Sequence, residues 1–217
     1  MKKFITVAGN IGVGKSSLVQ RLSHRLRWQP FFEPESHNPY LADFYLDMPA
    51  WGFHSQIFFL GHRLRVYRDL TDCTDSVILD RSLYEDAEIF AYNLYQNETM
   101  SRRDYETYET LYHSLLTFLP TPDLVIYLRA TVDTLVNRIQ QRNRDYERTI
   151  DRGYLEQLNS AYENWISGFS LCPVLTVPAD NLDFVSQSAH MDLVLNKVQE
   201  KISGKDEVVF LPKEYTS

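Results

Sequence analysis

Residues 9–16 read Gly9-Asn10-Ile11-Gly12-Val13-Gly14-Lys15-Ser16 and fit the phosphate-loop pattern G-x-x-x-x-G-K-[ST]. The segment before this loop, residues 3–8, is mostly apolar and rich in β-branched side chains, as expected of a strand. The segment after it, residues 17–22, has apolar side chains at the spacing of a helix. Strand, glycine-rich loop and helix form the context in which the pattern binds phosphate. The stretch therefore predicts a nucleotide-phosphate site rather than an ordinary glycine-rich turn.

The chemistry of the loop indicates which residues hold the phosphates. Glycines let backbone N–H groups turn inward around a phosphate, and the start of the following helix adds a favourable dipole. The ammonium group of Lys15 can reach the β- and γ-phosphates, and the hydroxyl of Ser16 can ligate Mg²⁺. We expect the phosphates to be bound by Gly9, Asn10, Gly12, Val13, Gly14, Lys15, Ser16 and Ser17.

The composition is that of a globular protein and argues against nucleic-acid and membrane binding. The 217 residues suffice for one domain with a sizeable core. A net charge of −7 disfavours non-specific binding to nucleic acid. No apolar run approaches the ~20 residues of a membrane span, and the early first strand leaves no room for a signal peptide. The two cysteines, Cys73 and Cys172, suggest no disulfide framework, so a cytoplasmic location is expected.

Predicted strands and helices alternate along the chain, so we expect a single α/β domain over residues 1–217. The predicted strands are 3–8, 76–80, 123–128 and 173–177, with a further short strand near 30–33. The predicted helices are 15–27, 52–72, 83–97, 102–118, 131–143, 152–168 and 186–202. This alternation is typical of a doubly wound parallel sheet of about five strands flanked by helices, with ligands at the carboxyl ends of the strands. Residues 204–217 are predicted to form a loose tail.

Three helix starts carry capping signals. Ser82-x-x-Glu85 and Ser101-x-x-Asp104 are capping boxes, and Thr131 or Asp133 can start the next helix. These signals support the helices that are predicted to begin near residues 83, 102 and 131.

A phosphate loop does not by itself separate GTPases, ATPases and small-molecule kinases. Asn196-Lys197-Val198-Gln199 lacks the aspartate of the guanine-reading pattern Asn-Lys-x-Asp, and no strand ending in paired acids is evident. Instead Glu33 follows the predicted second strand, where a carboxylate can accept a proton from an attacking hydroxyl. Asp80 and Arg81 end another strand, where they can hold Mg²⁺ and brace a phosphate or the base. This set favours phosphoryl transfer to a bound small molecule. Taken alone, Glu33 could be a solvated loop residue, and Asp80-Arg81 could be an ordinary helix start.

Basic residues are concentrated late in the chain, at Arg138, Arg142, Arg144 and Arg148. The first two are four residues apart and share one helix face, and the last two extend beyond the predicted helix end. Such a cluster can close as a lid, at about residues 138–150, over transferring phosphates. A solvated basic face is the alternative, which the phosphate loop makes less attractive.

The segment from Phe31 to Phe59 is dense in aromatic residues, some of which can stack on a planar base while others form plain core. Within it, the amide of Gln56 offers donors and an acceptor to a base edge. Arg63 follows two helical turns later on the same face.

Taken together, these motifs resemble those of the deoxyribonucleoside kinases, the family of deoxycytidine, deoxyguanosine and deoxyadenosine kinases. The resemblance runs over nearly the whole chain, from the phosphate loop to residues 181–184, and implies a P-loop kinase fold with a lid. It also implies transfer of the ATP γ-phosphoryl group to a deoxynucleoside 5′-hydroxyl, with Mg²⁺, in nucleotide salvage. The motifs are Glu33-Pro34, Tyr45 with Pro49 and Trp51, Gln56 with Arg63, Asp80-Arg81-Ser82-x-Tyr84-x-Asp86, Ile89-Phe90-Ala91-x-Asn93-Leu94-Tyr95, and Arg138-x-x-x-Arg142-x-Arg144-x-x-Glu147.

The resemblance implies roles at the reacting hydroxyl and the base. Glu33 would be the general base for the 5′-hydroxyl, and Arg81 would lie near the 5′ position. Gln56 would pair with one edge of the base, and Asp86, held by Arg63, would read the opposite edge.

It implies further contacts to the nucleoside and to a second subunit. Phe90 would stack beneath the base, and Tyr45 and Glu147 would hold the 3′-hydroxyl of the deoxyribose. The family is typically homodimeric, which implies that residues 52–72 and 83–97 are buried against a partner.

On the donor side, the resemblance implies that ATP is bound by the phosphate loop, by a lid and by residues 180–184. Ser16 and Asp80 would hold Mg²⁺, and Lys15 and Arg142 would join Glu33 and Arg81 as catalytic residues. Outside the phosphate loop, the implied ATP-binding residues are Arg138, Arg142, Arg144, Asp183 and Phe184.

Three positions depart from the family pattern. Asp80 stands where the metal-associated triplet usually has glutamate, so the acid is one methylene shorter. Ser55 replaces the phenylalanine usual before the glutamine, so part of the base slot must be lined differently. Residues 38–40, Asn-Pro-Tyr, stand where a nearby tryptophan is usual.

The leading hypothesis is a kinase of a purine or cytosine deoxynucleoside, with deoxyadenosine, deoxyguanosine and deoxycytidine left open. A thymidine-preferring member is the first alternative, and the charged pair of Arg63 and Asp86 argues against it because this pair suits an amino group on the base. A nucleotide-binding regulatory subunit without turnover is the second. The presence of Glu33 and of the lid arginines argues against that alternative.

Overall fold

The computed structural model describes residues 2–33 and 37–215, and within them five strands form one parallel sheet. Across the sheet the order is β2-β3-β1-β4-β5, and each adjacent pair of strands is parallel. The prediction of a parallel sheet of about five strands is confirmed. Pro34 of the predicted Glu33-Pro34 motif lies outside the described residues. The strands are β1 (Phe4–Ala8), β2 (Gln29–Phe31), β3 (Val77–Asp80), β4 (Leu124–Arg129) and β5 (Val174–Pro178).

Helices connect the strands and extend beyond the last one. A π-helical segment, Asp86–Ala91, joins two short helices, so that residues 83–96 form one continuous helix. Short 3-10 turns occur at Asp145–Glu147 and Pro212–Glu214. The α-helices are α1 (Lys15–Leu26), α2 (Leu41–Leu46), α3 (Met48–Asp72), α4 (Leu83–Glu85), α5 (Tyr92–Gln96), α6 (Arg102–Leu116), α7 (Val132–Arg142), α8 (Arg152–Gly168) and α9 (Ser188–Ile202).

Both faces of the sheet are covered, because side chains along each strand alternate between the faces. On one face, Phe4 and Ala8 of β1 pack in a core formed with α3, α6, the 83–96 helix and α8. On the other face, Ile5 and Val7 pack in a second core formed with α1, α7 and α9. This is the doubly wound arrangement that the alternation of strands and helices predicts.

Strand β1 lies at the centre of the sheet, between β3 and β4, so the chain connections diverge on either side of it. A crevice forms at such a switch point, outside the carboxyl ends of the strands. Val7, near the end of β1, pairs with Asp80, the last residue of β3. The fold therefore places the loop after β1 and the residues after β3 at one edge of the sheet.

The structure shows a cap at each of the three helix starts, although Ser101 and Asp104 form only one of the two backbone bonds of a capping box. Ser82 and Glu85 form a reciprocal capping box, and Ser101 accepts a hydrogen bond from the backbone N–H of Asp104. Of the two candidates for the start of α7, Thr131 is the cap, since its hydroxyl accepts from the N–H of Thr134.

Two helical features differ from the sequence predictions. Helix α2 was not predicted, and α3 begins at Met48 rather than at residue 52. The earlier start has a local cause, because Asp47 accepts a hydrogen bond from Ala50 N at 3.1 Å and Pro49 suits the first turn.

Part of the carboxyl-terminal segment, which the sequence predicts to be a loose tail, contacts the body of the protein. Val208, Phe210 and Tyr215 are partly buried against the second core. Lys197 of α9 forms an ion pair with Glu214 at 3.0 Å. Among the described residues, none of the helices combines the length and apolar character that a membrane crossing requires.

Candidate active site

The phosphate loop turns tightly between β1 and α1, and two of its glycines are required by their surroundings. Gly9 has a φ of 144°, and a Cβ there would lie 2.7 Å from the carbonyl oxygen of Leu128. Gly12 has a φ of 82°, and a Cβ there would lie 2.7 Å from Ile139 Cγ1. Any side chain would therefore push the loop away from β4 or α7.

Charged and hydroxyl groups meet inside this loop at the carboxyl end of β3. Lys15 Nζ donates to the carbonyl oxygen of Asn10 at 3.1 Å, and Ser16 Oγ donates to Asp80 Oδ2 at 2.5 Å. Asp80 Oδ1 is buried and has no hydrogen-bond partner among the described residues. Burial raises the pKa of Asp80 to about 6, against the attraction of Lys15. A carboxylate with an unused oxygen beside a hydroxyl is a donor set that fits Mg²⁺.

Glu33 lies between two buried arginines. Arg63 Nη2 donates to Glu33 Oε1 at 3.1 Å, and Arg81 Nε lies 3.0 Å from the same carboxylate. Burial would raise the pKa of Glu33, but the charges of Arg81, Arg63 and Lys15 outweigh burial and lower this pKa to about 2. Glu33 is therefore an ionised, hydrogen-bonded carboxylate at neutral pH.

Arg63 also binds Asp86, which begins the π-helical segment. Its Nε donates to Asp86 Oδ2 at 2.7 Å, and its Nη1 donates to the carbonyl oxygen of Asp80 at 3.0 Å. Burial raises the pKa of Asp86 to about 6, and the charge of Arg63 limits the rise, so the carboxylate is ionised at neutral pH. One arginine thus joins α3, the end of β3 and the 83–96 helix.

These groups surround a cavity. Seven of the eight predicted substrate residues line it, and the eighth, Arg63, donates hydrogen bonds to Glu33 and Asp86 in its wall. Tyr154 of α8 and several apolar residues also line the cavity but were not predicted, because no local pattern distinguishes them from core residues. The lining residues are Ile11, Glu33, Leu41, Phe44, Tyr45, Ser55, Gln56, Phe59, Arg81, Asp86, Phe90, Glu147 and Tyr154.

One wall of the cavity is polar where the family pattern has phenylalanine. Ser55 is fully buried, and Asn38 Nδ2 donates to its hydroxyl at 3.1 Å. Next to it, Gln56 Oε1 is buried without a hydrogen-bond partner among the described residues. A buried carbonyl oxygen without a partner is unfavourable, so a ligand that donates a hydrogen bond to it would relieve this cost.

The lid arginines separate into two groups. Arg142 donates to both oxygens of Glu147, at 2.9 and 2.5 Å, and Arg144 Nη1 lies 3.4 Å from Glu147 Oε1. Arg138 instead donates to the carbonyl oxygens of Val13 and Ala179, at 2.8 and 2.7 Å. Arg138 is thus fixed to the backbone beside the phosphate loop, whereas Arg142 and Arg144 meet at a carboxylate that lines the cavity.

A second cleft adjoins the phosphate loop. Ile11 of the loop lines the first cavity, whereas the next residue, Gly12, lines this cleft. The cleft brings together much of the predicted nucleotide-binding set. Its lining includes Gly12, Val13, Gly14, Ser17, Arg138, Arg142, Asp183 and Phe184.

Comparison with known proteins identifies the chain as a kinase. A model of the family described as deoxynucleoside kinase matches residues 5–203. The deoxyadenosine/deoxycytidine kinase of Bacillus subtilis (strain 168) is 39% identical over 200 residues, covering 91% of this chain and 92% of that protein. The deoxyguanosine kinase of the same organism is 35% identical over 204 residues, covering 92% and 97%.

Solved structures agree with this assignment. The structure of deoxyadenosine kinase from M. mycoides with the products dCMP and a flexible dCDP bound superposes with a TM-score of 0.81, at 31% identity, covering 91% of this chain and 99% of that one. The same enzyme with bound dATP gives a TM-score of 0.80 at 30% identity, with the same coverage. The chain has the P-loop kinase fold, and it belongs to the deoxynucleoside kinase family.

Proposed function

We propose that this kinase transfers the γ-phosphoryl group of ATP to the 5′-hydroxyl of a deoxynucleoside whose base carries an amino group: deoxyadenosine, deoxyguanosine or deoxycytidine. The observation that supports this choice is the buried pair of Arg63 and Asp86 at the cavity. An ionised Asp86 accepts a hydrogen bond from an amino group, whereas it repels the carbonyl oxygen that thymine presents. The relatives named for deoxyadenosine, deoxycytidine and deoxyguanosine agree with this substrate class.

In this proposal Glu33 receives the 5′-hydroxyl. With a pKa lowered to about 2, Glu33 is ionised and can accept a hydrogen bond from the hydroxyl, but it is a weak base. That property suits phosphoryl transfer, because in a loose transition state the attacking hydroxyl is deprotonated late and orientation matters most. Arg81, 3.0 Å from Glu33, holds the carboxylate and offers positive charge near the 5′ oxygen.

The remaining substrate residues divide between base and sugar. Gln56, whose Oε1 has no described partner, would pair with the base edge, and Phe90 would stack on the base. Tyr45 and Glu147 would hold the 3′-hydroxyl from the lid side of the cavity. The Arg142–Glu147 ion pair then joins sugar binding to the lid.

For the donor, ATP would lie in the cleft beside the phosphate loop, with Lys15 and the lid arginines at its phosphates and Asp183 and Phe184 near its adenine. Ser16 and Asp80 would hold Mg²⁺, a role that the unpartnered Oδ1 of Asp80 supports. The metal would supply positive charge to neutralise the phosphate oxygens.

We further propose a homodimer in the cytoplasm. Exposed apolar side chains on α3 and α5 support the dimer, since Leu64 and Tyr92 are 40% and 44% exposed. The two cysteines of the chain, Cys73 and Cys172, are both free, in agreement with a reducing compartment. Sedimentation of the purified protein tests the dimer, and a monomer at all concentrations would contradict it.

The decisive experiment is a steady-state assay with labelled ATP and four acceptors: deoxyadenosine, deoxyguanosine, deoxycytidine and thymidine. We expect kcat/KM to be highest for one of the first three, and a Lys15→Ala control to lose transfer to all of them. Highest kcat/KM for thymidine would overturn the proposed base preference. Absence of transfer to every acceptor would favour a regulatory subunit.

A further inference from the structure

A chain of buried hydrogen bonds leads away from the acceptor cavity, starting at the guanidinium of Arg81. Arg81 Nη1 donates to the hydroxyl of Tyr162 at 2.6 Å, and this hydroxyl donates to Glu85 Oε1 at 2.8 Å. Tyr162 and Glu85 are both completely buried and lie behind Arg81. Burial raises the pKa of Tyr162 well above its ordinary value, so the hydroxyl keeps the proton that it donates.

Glu85 carries this chain to the phosphate loop. Its Oε1 also accepts the backbone N–H of Gly9, the first loop residue, at 3.2 Å. Its Oε2 accepts the backbone N–H of Ser82 at 2.8 Å and the hydroxyl of Ser82 at 3.1 Å. A buried carboxylate is costly unless such donors surround it, so its position is tightly defined. Gly9, at the other end of these hydrogen bonds, has little free space, because a Cβ there would lie 2.7 Å from the carbonyl oxygen of Leu128.

Arg81 itself is held in an unfavourable conformation. Its φ is 63°, in the left-handed region that a residue with a side chain rarely adopts. Strain of this kind persists where surrounding contacts impose it, and it is concentrated at functional sites. Here the guanidinium is fixed by four contacts: Glu33 at 3.0 Å, Tyr162 at 2.6 Å, Glu85 Oε1 at 3.8 Å and the ring of Phe90, whose centroid is 4.3 Å from Arg81 Cζ.

We propose that Tyr162 and Glu85 are positioning residues for phosphoryl transfer. They fix the Arg81 guanidinium, and through it Glu33, relative to Gly9, so that the attacking hydroxyl and the donor phosphates keep a constant separation. This rests on the roles proposed above for Glu33 and Arg81. Small displacements of reacting groups can lower rates steeply, so one interior hydroxyl can affect turnover without touching a substrate.

Two variants of the protein form a matched pair for a test. Tyr162→Phe removes the oxygen between Arg81 and Glu85 and keeps the ring stacked on Tyr127, 5.8 Å away. Tyr127→Phe removes a neighbouring hydroxyl, which donates to Glu163 at 2.9 Å and does not contact Arg81. Both variants lose one oxygen and one hydrogen bond to a carboxylate, and Tyr162→Phe also loses the hydrogen bond that Arg81 donates.

We expect Tyr162→Phe to lower kcat by roughly 10- to 100-fold, with nucleoside Kd and ATP KM within about threefold of wild type. Tyr127→Phe should keep kcat within about twofold, and Tyr162→Phe should have the lower Tm of the two, because it leaves Arg81 and Glu85 buried without this partner. Glu85→Gln is a second variant, with the same selective loss of kcat expected, and it covers the case in which Tyr162→Phe folds poorly. Unchanged kcat in both Tyr162→Phe and Glu85→Gln, or a loss confined to affinity or Tm, would overturn the proposal.

A double variant separates this inference from the role of Glu33. If Tyr162 acts through Arg81 on Glu33, Tyr162→Phe combined with Glu33→Gln should be about as slow as Glu33→Gln alone. Fully additive losses would overturn the link to Glu33. If Tyr162→Phe is slow while Glu33→Gln keeps full activity, Glu33 is refuted as the base, and the positioning of Arg81 by Tyr162 is supported.

Discussion

Arg63 and Asp86 form an ion pair with 2.7 Å between Nε and Oδ2, and their side chains are only 1% and 3% exposed. Taking both charges out of water is costly, so the pair is weak evidence for stability and better evidence for a role in recognition. Arg63 also donates to Glu33 and to the backbone of Asp80. The residues proposed to read the base, receive the 5′-hydroxyl and hold Mg²⁺ are therefore all bonded to one arginine.

The first prediction concerns base choice. In the double variant Arg63→Met with Asp86→Ala, both the buried charges and the repulsion of a thymine carbonyl are removed. We expect thymidine phosphorylation to rise relative to wild type, and the preference for amino-bearing bases to fall. Because Glu33 loses one of its two arginines, kcat should also decrease for all acceptors. The measurement is kcat/KM for the four deoxynucleosides.

Asp86→Ala alone is the control for this prediction. It leaves the guanidinium of Arg63 buried without the carboxylate of Asp86, which should lower kcat/KM for every substrate. A double variant that keeps the wild-type ranking of acceptors would show that the pair is structural.

The second prediction concerns Glu33. Glu33→Gln keeps the shape of the side chain but loses the charge that accepts the hydroxyl proton. We expect kcat to fall by roughly 10²- to 10⁴-fold while nucleoside affinity changes little. Single-turnover rates and nucleoside Kd measure the two effects separately. Turnover close to that of wild type would show that another residue is the base, with Asp80 the first candidate.

The third prediction concerns the lid. Arg142→Ala should lower kcat more than it weakens ATP binding, because the guanidinium acts on charge that develops during transfer. Arg148→Ala is a matched control, since Arg148 is 61% exposed and pairs with Asp145 rather than with Glu147. A variant in which ATP affinity falls and kcat does not would identify Arg142 as a ground-state clamp.

The fourth prediction follows from the lowered pKa of Glu33. A carboxyl group with a pKa of about 2 in the folded state and 4.5 otherwise stabilises the fold fully above about pH 4.5. This stabilisation, roughly 3 kcal/mol at most, is lost as the pH falls from 4.5 toward 2. Urea unfolding of wild type and Glu33→Gln at several pH values measures it. We expect the difference in unfolding free energy to be constant near neutral pH and to shrink in acid, and a constant difference throughout would contradict the assignment.

Local sequence was sufficient for the strands, the phosphate loop and most helix starts. Each depends on a pattern a few residues long, such as the apolar run of β1, the spaced glycines after it or the Ser82–Glu85 box. Such patterns act through backbone conformation and neighbouring hydrogen bonds, which are available before the chain is folded. The early start of α3 at Asp47 and Pro49 was equally local, and could have been predicted from the same rules.

Only the tertiary structure determined how the site residues are connected. Arg63 and Asp86 are 23 residues apart, Arg81 and Glu33 are 48, and Tyr162 and Glu85 are 77. Motifs and family resemblance predicted most of the cavity residues. The bonds of Arg138 to the backbone of Val13 and Ala179, and the bond of Tyr162 to Arg81, depend on packing between distant elements. The sequence determined which chemical groups are present and on which elements they lie. Which of these groups touch was determined by the packing of α3 and α8 near the carboxyl ends of β1 and β3, because the contacts form only when distant elements pack together.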